Sequence, residues 1–347
     1  MILLTIDWAL IIEKLVLIAI IITASLVIAM YATYGERKVA AWMQDRRGPN
    51  RAGPFGILQP LADGMKLFFK EEIIPSTSSK ALFILGPSLA MLTAMMTCAV
   101  VPWGGKVELF GRTIELQIAD INVAILYVFG VVSLGIYGIM IGGWASNNKF
   151  SLMAALRGAS QVISYELPMG LALIALLMLT GSLSLKTIVE QQLAGHWNIW
   201  YQPLGFLIFF VCALAECNRA PFDLPEAENE LNMGYHQEYS SMKLGFYLFA
   251  EYINMFISSA IMATLFFGGY DMPFVNEAAF SPNVAAIIGI VALMAKIFIF
   301  IFVFMWVRWT LPRFRYDQLM NLGWKGLIPL ALANMLITGA VVLYLNK

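Results

Sequence analysis

The chain has little of what a redox or hydrolytic centre needs. Its 347 residues include three cysteines and two histidines. These five residues lie in or beside apolar stretches or in separate loops, without metal-ligand spacing: Cys98, Cys212, Cys217, His196 and His236. We therefore expect packing and loop roles for them, and no iron-sulfur, zinc or haem site. A phosphate-cradling glycine loop, a catalytic triad and a basic patch suited to nucleic acid are also missing. A redox reaction here needs a partner that brings electrons.

Charge is scarce as well, with 13% charged against 60% hydrophobic residues. The mean hydropathy of +0.76 exceeds what a soluble surface of this size tolerates and predicts an all-α integral membrane protein. Crossing a hydrocarbon core of about 30 Å takes about 20 apolar residues. Eight stretches qualify, which predicts a single polytopic membrane domain over residues 1–347. They are residues 10–34, 81–101, 121–145, 161–181, 203–220, 244–268, 284–307 and 326–345.

The positive residues are distributed unevenly among the connections between these stretches. The first, third, fifth and seventh connections hold sixteen Lys and Arg residues, and the other three hold three. Because positive residues are retained on the cytoplasmic side, both termini should lie on the periplasmic side and the charged loops in the cytoplasm. In a mitochondrion those loops would face the matrix. The first stretch is too long for a signal-peptide core, so we expect a retained helix.

Five carboxylates follow the fifth apolar stretch, in the segment ECNRAPFDLPEAENE at residues 216–230. Residues 204–215 supply only twelve uncharged positions, about 18 Å of helix. That is too short for a bilayer, so the helix should continue through Glu216 toward Pro221. This length argument predicts that Glu216 lies inside the membrane boundary.

Two more carboxylates fall inside apolar stretches. The fourth span has only fourteen residues after Glu166, about 21 Å, so it must begin before this glutamate. Glu251 lies about 12 Å into the sixth span without a cation at i+3 or i+4. Each glutamate alone is open to a structural reading as a hydrogen-bonded side chain between helices. Together with the carboxylates of residues 216–230, they favour a proton pathway.

The first charged loop ends in an amphipathic pattern from Pro60 onward. Polar side chains recur at helical spacing opposite large apolar ones; the polar set is Asp63, Lys66 and Lys70, and the apolar set is Leu61, Met65, Phe68 and Phe69. This predicts an interfacial helix. The helix either anchors the loop on the membrane surface or forms, with the first span, the wall of a slot for an apolar substrate.

Basic residues of two other segments face the same side as the acidic fifth loop. Arg157 is placed to neutralise a loop carboxylate. The segment 308–325 carries four basic residues against Asp317 alone. It either anchors the chain by its positive charge or pairs with the acidic fifth loop on the same side.

Four segments carry a resemblance to a known family. They are QDRRGPNRAGPFGILQPLADGMKLFFKE at 44–71, SNNKFSLMAALRGASQVISYE at 146–166, ECNRAPFDLPEAENELNMGYHQEYS at 216–240 and RWTLPRFRYDQLMNLGWK at 308–325. They resemble the signature regions of the H-type subunits of NADH-quinone oxidoreductase, a family also called NADH dehydrogenase subunit 1. This family forms the quinone-site membrane subunit of respiratory complex I.

The resemblance implies a function for these loops. The chain would form a quinone-access tunnel with the peripheral arm and couple quinone reduction to proton translocation, without a bond-making residue of its own. The implied quinone-binding residues are Arg37, Asp63, Arg219, Phe222 and Asp223. The implied proton path consists of Glu166, Glu216, Glu226, Glu228 and Glu251.

The resemblance also implies cofactors, partners and location. Quinone would be the substrate, while FMN and the iron-sulfur clusters would belong to partner subunits. The partners would be quinone-pocket and iron-sulfur subunits of the peripheral arm, together with small and antiporter-like membrane subunits. The location would be a bacterial inner membrane, or alternatively a mitochondrial one. The main rival is the equivalent component of a related membrane-bound hydrogenase; a stand-alone ion transporter and a passive scaffold are further alternatives.

Overall fold

The protein is described by a computed structural model that covers residues 8–109, 111–226, 228–273 and 281–345, without the side chains of Leu109, Glu228 and Asn229. The predicted all-α membrane fold is confirmed. Seven helices are long and apolar enough to cross a membrane within the described ranges. Six are α1 (Trp8–Met43), α3 (Lys80–Thr97), α4 (Ala124–Ala145), α5 (Lys149–Thr180), α10 (Ser241–Phe266) and α11 (Pro282–Thr310). The seventh joins α12 (Tyr316–Asn321), a π-helical turn (Leu322–Leu327) and α13 (Ile328–Leu345).

Shorter elements complete the fold. The predicted interfacial helix is α2 (Gln59–Phe69), which begins beside Pro60, a residue suited to a first helical turn. The remaining helices are α6 (Leu185–Ala194), α7 (Asn198–Tyr201), α8 (Pro203–Glu216) and α9 (Glu228–Leu231). An antiparallel hairpin of β1 (Lys106–Leu109) and β2 (Arg112–Glu115) was not anticipated from the sequence.

The fifth predicted span differs most from expectation. Helix α8 ends at Glu216 and does not continue toward Pro221, so it has 14 residues, about 21 Å. Length arithmetic assumed that every apolar stretch crosses the bilayer alone, whereas this one is surrounded by longer helices. Glu216 is therefore the last residue of a short helix packed against α5.

Close helix packing brings the centre of the bundle together. Gly138 and Gly142 of α4 lie against α3, and the Tyr247 hydroxyl of α10 donates to the Gly138 carbonyl at 3.0 Å. A Cβ atom on Gly142 would lie 2.0 Å from that hydroxyl oxygen. Only glycine allows the tyrosine to approach α4 this closely.

The four charged connections meet at one end of the bundle. The first connection is joined to the start of α10 by an ion pair between Glu72 and Lys243. The third connection is joined to the fifth connection by Arg157 and Glu230, whose charged atoms lie 2.7 Å apart. The seventh reaches the fifth where Arg313 donates to the Asp223 carbonyl at 2.7 Å. We call this end of the molecule the loop end.

Candidate functional site

A cavity of about 460 Å³ opens at the loop end between α1, α2, α10, α11 and the fifth connection. We call it the loop-end cavity. Its apolar wall includes Met30, Leu244, Leu248 and Phe249. The cavity thus combines an oily side with a small number of charged groups, as ligand pockets commonly do.

An exposed ion pair forms part of its wall. Arg37 donates to an Asp63 carboxylate oxygen at 2.6 Å, and Gln59 donates to the other oxygen at 3.0 Å. Both charged side chains are at least one-third exposed, so the pair adds little stability. Its structural effect is to tie the loop-end part of α1 to the interfacial helix α2.

A second, buried charge cluster lies deeper in the wall and centres on Glu36. One Glu36 oxygen pairs with Arg308 of α11. The other accepts from the Tyr252 hydroxyl at 2.8 Å and lies 3.8 Å from an Arg219 nitrogen. Glu36 and Arg219 are 6% and 5% exposed, so this carboxylate compensates two arginines in a largely buried part of the cavity wall.

Arg219 connects this cluster to further carboxylates. Its guanidinium lies 4.1 Å above the Tyr252 ring and 3.5 Å from a Glu251 oxygen. Glu251 also accepts from the Tyr235 hydroxyl at 3.1 Å, and its carboxyl lies within hydrogen-bonding reach of Glu226. The partner that Glu251 lacks on its own helix therefore comes from the fifth connection. Since Glu226 also lines the loop-end cavity, these contacts link the cavity to the centre of the bundle.

The two loop carboxyls near Arg219 differ in their protonation. Burial raises the pKa of Asp223 to about 7, reinforced by the negative charge of Glu226 and opposed by Arg313. Burial also acts to raise the pKa of Glu226, but the positive charge of Arg219, with smaller effects from its other neighbours, lowers it. Asp223 therefore exchanges its proton near neutral pH while Glu226 stays ionised.

A small chamber lies between Glu251 and Glu216. It measures about 40 Å³, and its polar lining includes Asn218 and Asn254. A water needs roughly 10–15 Å³ by this measure, so the chamber has room for about three. A second chamber of about 30 Å³ also touches Glu216 and Asn254. These are the first and second inner chambers, and Glu216 is only partly buried because it faces both.

Glu166 lies on the far side of Glu216, at the lateral surface of the bundle. The Ser133 hydroxyl of α4 donates to it at 2.8 Å, and its carboxylate is near enough to interact electrostatically with Glu216. It is partly exposed on the face formed by α4 and α5. We use the name carboxylate row for the series Glu226, Glu251, Glu216 and Glu166, which extends from the loop-end cavity to this lateral face.

The structure brings together most of the residues singled out in the sequence. Arg37, Asp63 and Arg219 line the loop-end cavity. Phe222 packs instead between Tyr165 and Phe314, with ring centroids 5.3 and 5.6 Å away. The Asp223 backbone is held by Arg313, and neither Phe222 nor Asp223 is among the described lining residues. The side chain of Glu228 lies outside the described residues.

Sequence reasoning missed Glu36 and the role of Arg308. The first span was expected to end at residue 34, which left Glu36 in a loop beside Arg37. Helix α1 continues to Met43, so Glu36 lies on a helical face buried against α10 and α11. The signal available was the apolar pattern after residue 36, where Val39, Ala40 and Ala41 continue the buried face.

Within the described ranges, no group of three or more His, Cys, Asp or Glu side chains is arranged to hold a metal ion. The groups that the site does bring together offer acid–base and electrostatic chemistry. It consists of carboxyls that exchange protons, arginines that compensate them, and chambers large enough for water.

Comparison with known proteins gives a consistent result. The sequence model of the family described as NADH dehydrogenase matches residues 15–339. A Cytophaga hutchinsonii protein named as an H-type subunit of NADH-quinone oxidoreductase is 65% identical over 95% of this chain and 97% of its own length. A Flavobacterium johnsoniae protein of the same name is 62% identical over 96% of both chains. A Geobacter metallireducens relative, also so named, is 48% identical over 94% of this chain and 95% of its own.

Proposed function

This chain belongs to the NADH dehydrogenase family, as a membrane subunit of an NADH-quinone oxidoreductase, and we propose that its loop-end cavity admits quinone while its carboxylate row carries protons. The location that fits the bacterial relatives and the long apolar helices is an inner membrane, with the chain crossing it several times.

The properties of the loop-end cavity support quinone binding. A quinone has an apolar tail and a head with two carbonyl oxygens. The apolar wall around Leu248 and Phe249 suits the tail, and the charged groups Arg37 and Arg219 offer donors to the head. In this proposal, two electrons arrive from a partner subunit docked at the loop end. Two protons bind the two carbonyl oxygens and complete the reduction of quinone to quinol.

Arg219 supplies the link between that reduction and the carboxylate row. A guanidinium nitrogen of Arg219 lies 3.8 Å from a Glu36 oxygen at the cavity. Another lies 3.5 Å from an oxygen of Glu251, which belongs to the carboxylate row. Negative charge that develops on the quinone head competes with these carboxylates for the guanidinium. Weakening the Arg219–Glu251 pair favours proton uptake by Glu251. Reduction in the cavity thereby changes the proton occupancy of the row, and this shared arginine is the single observation that carries the proposal.

Protons then move from Glu251 to Glu216 through the first inner chamber, and from Glu216 to Glu166. Glu166 lies on a lateral face, where a neighbouring membrane subunit of the antiporter-like type would receive them. The peripheral arm would cover the opposite opening at the loop end. Both termini would then lie on the periplasmic side, as the distribution of positive residues predicts.

The test replaces Glu251 with glutamine, which keeps the shape and loses the exchangeable proton. The whole complex is reconstituted in liposomes, and NADH oxidation by a short-chain quinone is measured together with proton uptake. We expect Glu251→Gln to abolish coupled proton translocation. The matched control is Glu190→Gln, since Glu190 lies at the opposite end of the bundle beside another cavity.

A Glu251→Gln enzyme that is fully active and fully coupled would refute the proton role. The same preparation separates the rival class, because a hydrogenase component belongs to a complex that evolves hydrogen and does not oxidise NADH with added quinone.

A further inference from the structure

Three hydroxyl groups lie close together where α4 ends at the loop end. The hydroxyls of Ser146 and Tyr239 donate to the same acceptor, the Gly142 carbonyl oxygen, at 2.7 and 3.3 Å. The Tyr239 hydroxyl is also near enough to interact with the hydroxyls of Ser146 and Tyr247. The rings of Tyr239 and Tyr247 meet edge to face, with centroids 5.1 Å apart. We call Ser146, Tyr239 and Tyr247 the hydroxyl relay.

The inner end of the hydroxyl relay reaches the first inner chamber. Tyr247 lines this chamber, and its hydroxyl donates to the Gly138 carbonyl at 3.0 Å. Gly135, about one turn before Gly138 on α4, lines the chamber too, so the hydroxyl lies at the chamber wall. Glu251 and Tyr235 line the same chamber, and the Tyr235 hydroxyl donates to Glu251 at 3.1 Å. The waters for which this chamber has room can bridge from Tyr247 to Glu251.

The outer end of the hydroxyl relay lies among polar groups of the third and fifth connections. Ser146 is 3% exposed, but the next residue, Asn147, is exposed. The Asn148 amide donates to the Glu238 carboxylate at 2.8 Å, and this partly exposed glutamate precedes Tyr239 in the chain. The hydroxyl relay therefore leads from a partly exposed carboxylate at the loop end to a buried chamber.

Glycines make room for the two tyrosine hydroxyls between α3 and α4. A Cβ atom on Gly142 would lie 2.0 Å from the Tyr247 hydroxyl oxygen and 3.2 Å from that of Tyr239. A Cβ atom on Gly86 of α3 would lie 2.5 Å from the Tyr247 hydroxyl oxygen. Helix packing accounts for each single bond from a hydroxyl to a carbonyl. It does not account for an unbroken series of hydroxyls from the loop end to the chamber beside Glu251.

We propose that the hydroxyl relay is a second entrance to the carboxylate row, through which protons reach Glu251 from the loop end without crossing the loop-end cavity. A hydroxyl both accepts and donates a hydrogen bond, so it passes a proton on without keeping a charge. At each step one O–H bond forms on the accepting oxygen and another breaks, and no electron moves. Glu238 collects the proton at the outer end, and Glu251 receives it through the chamber.

The inference rests on the proposed function for the role of Glu251 and adds the source of its proton. Quinone occupies the loop-end cavity while it is reduced, and it consumes two protons there. Glu251 needs a new proton after each transfer to Glu216. None of the three hydroxyl-relay residues is among the described residues that line the loop-end cavity. The two demands for protons are therefore met by separate routes.

The test uses Tyr239→Phe in the whole complex, with NADH oxidation by a short-chain quinone measured in H₂O and in D₂O. The substitution removes the hydroxyl and keeps the ring, which stacks on Phe83 with centroids 4.1 Å apart. A positioned proton-transfer group is worth about 100-fold or more in rate, and chamber water replaces part of this loss. We therefore expect kcat to fall about tenfold and the solvent isotope effect on kcat to rise. The KM for quinone should stay unchanged.

The matched control is Tyr127→Phe. The Tyr127 hydroxyl of α4 also donates to a carbonyl of α3, that of Met96 at 3.2 Å, but Tyr127 is not among the described residues that line the first inner chamber. Its kcat and isotope effect should match those of the unaltered complex. If Tyr239→Phe does not assemble, Ser146→Ala removes the outermost hydroxyl and should show the same fall in kcat.

An assembled Tyr239→Phe or Ser146→Ala complex whose kcat and isotope effect equal those of Tyr127→Phe overturns the proposal. A change confined to KM overturns it as well, because that result indicates a purely structural role. Glu251→Gln separates this inference from the proposed function. If Glu251→Gln is uncoupled while Tyr239→Phe behaves like its control, only the second entrance is refuted; a fully coupled Glu251→Gln enzyme refutes the proposed function itself.

Discussion

Glu36 gives the sharpest test of how the loop-end cavity is built. It compensates Arg219 and Arg308 at once, and Glu36→Gln removes that negative charge while keeping an acceptor for the Tyr252 hydroxyl. The two arginines then repel each other across the wall. We expect α1 and α11 to separate locally and the affinity for quinone to fall.

The magnitude follows from the contacts. At an effective dielectric constant of about 20, a pair at the Glu36–Arg219 separation contributes about 4 kcal/mol before desolvation. Removing one partner of a buried pair typically costs about 3–5 kcal/mol. Arg308 is 24% exposed and adjoins the cavity, so water recovers part of this loss. A remaining effect of about 1–3 kcal/mol corresponds to a rise in the KM for quinone of roughly 5- to 150-fold.

The assay is steady-state oxidation of NADH with increasing concentrations of a short-chain quinone. Glu36 is not itself a member of the carboxylate row, so KM should rise in an enzyme that still translocates protons. Glu13→Gln makes the same substitution near the other end of α1 and serves as the control. A Glu36→Gln enzyme whose KM matches that of Glu13→Gln would contradict this view of the wall.

Two further predictions concern a loop carboxyl and a helix contact. The pKa of Asp223 is raised to about 7, so this carboxyl is protonated below that pH and charged above it. The rate of quinone reduction should therefore show a step near pH 7, and Asp223→Asn should remove that step. An unchanged pH profile would show that this carboxyl does not affect the reaction. Gly142→Ala places a Cβ atom 2.0 Å from the Tyr247 hydroxyl. Overpacking of this kind lowers the stability of the fold by about 1–3 kcal/mol, so less assembled protein should be found in membranes. Gly130→Ala, on the same helix with open space around it, should assemble normally, and equal yields of the two variants would disprove the steric argument.

Composition and periodicity were sufficient for the class of fold. Apolar length alone located the long helices, and the alternation after Pro60 located α2, because both signals are local in sequence. The shortness of the fifth stretch drew attention to Glu216, although the helix ends there and does not extend as expected. The quinone-binding roles expected for Arg37, Asp63 and Arg219 came from the resemblance to a family and stay predictions.

The rest depends on contacts between distant residues. Glu36 and Arg308 are separated by 272 positions, and no local pattern indicates that they pair. The direction in which a loop side chain points also depends on residues far away in the sequence. Arg219 faces the cavity, while nearby Phe222 packs against Tyr165.

The most direct test of the central claim is the number of protons translocated per NADH oxidised by a complex that carries Glu216→Gln. Glu216 lies between the two inner chambers and next to Glu166, so every proton on the proposed route passes it. We predict that coupled translocation is lost in this variant and retained in Glu190→Gln, measured in the same liposomes. A Glu216→Gln complex that moves as many protons per NADH as the unaltered complex would contradict the account.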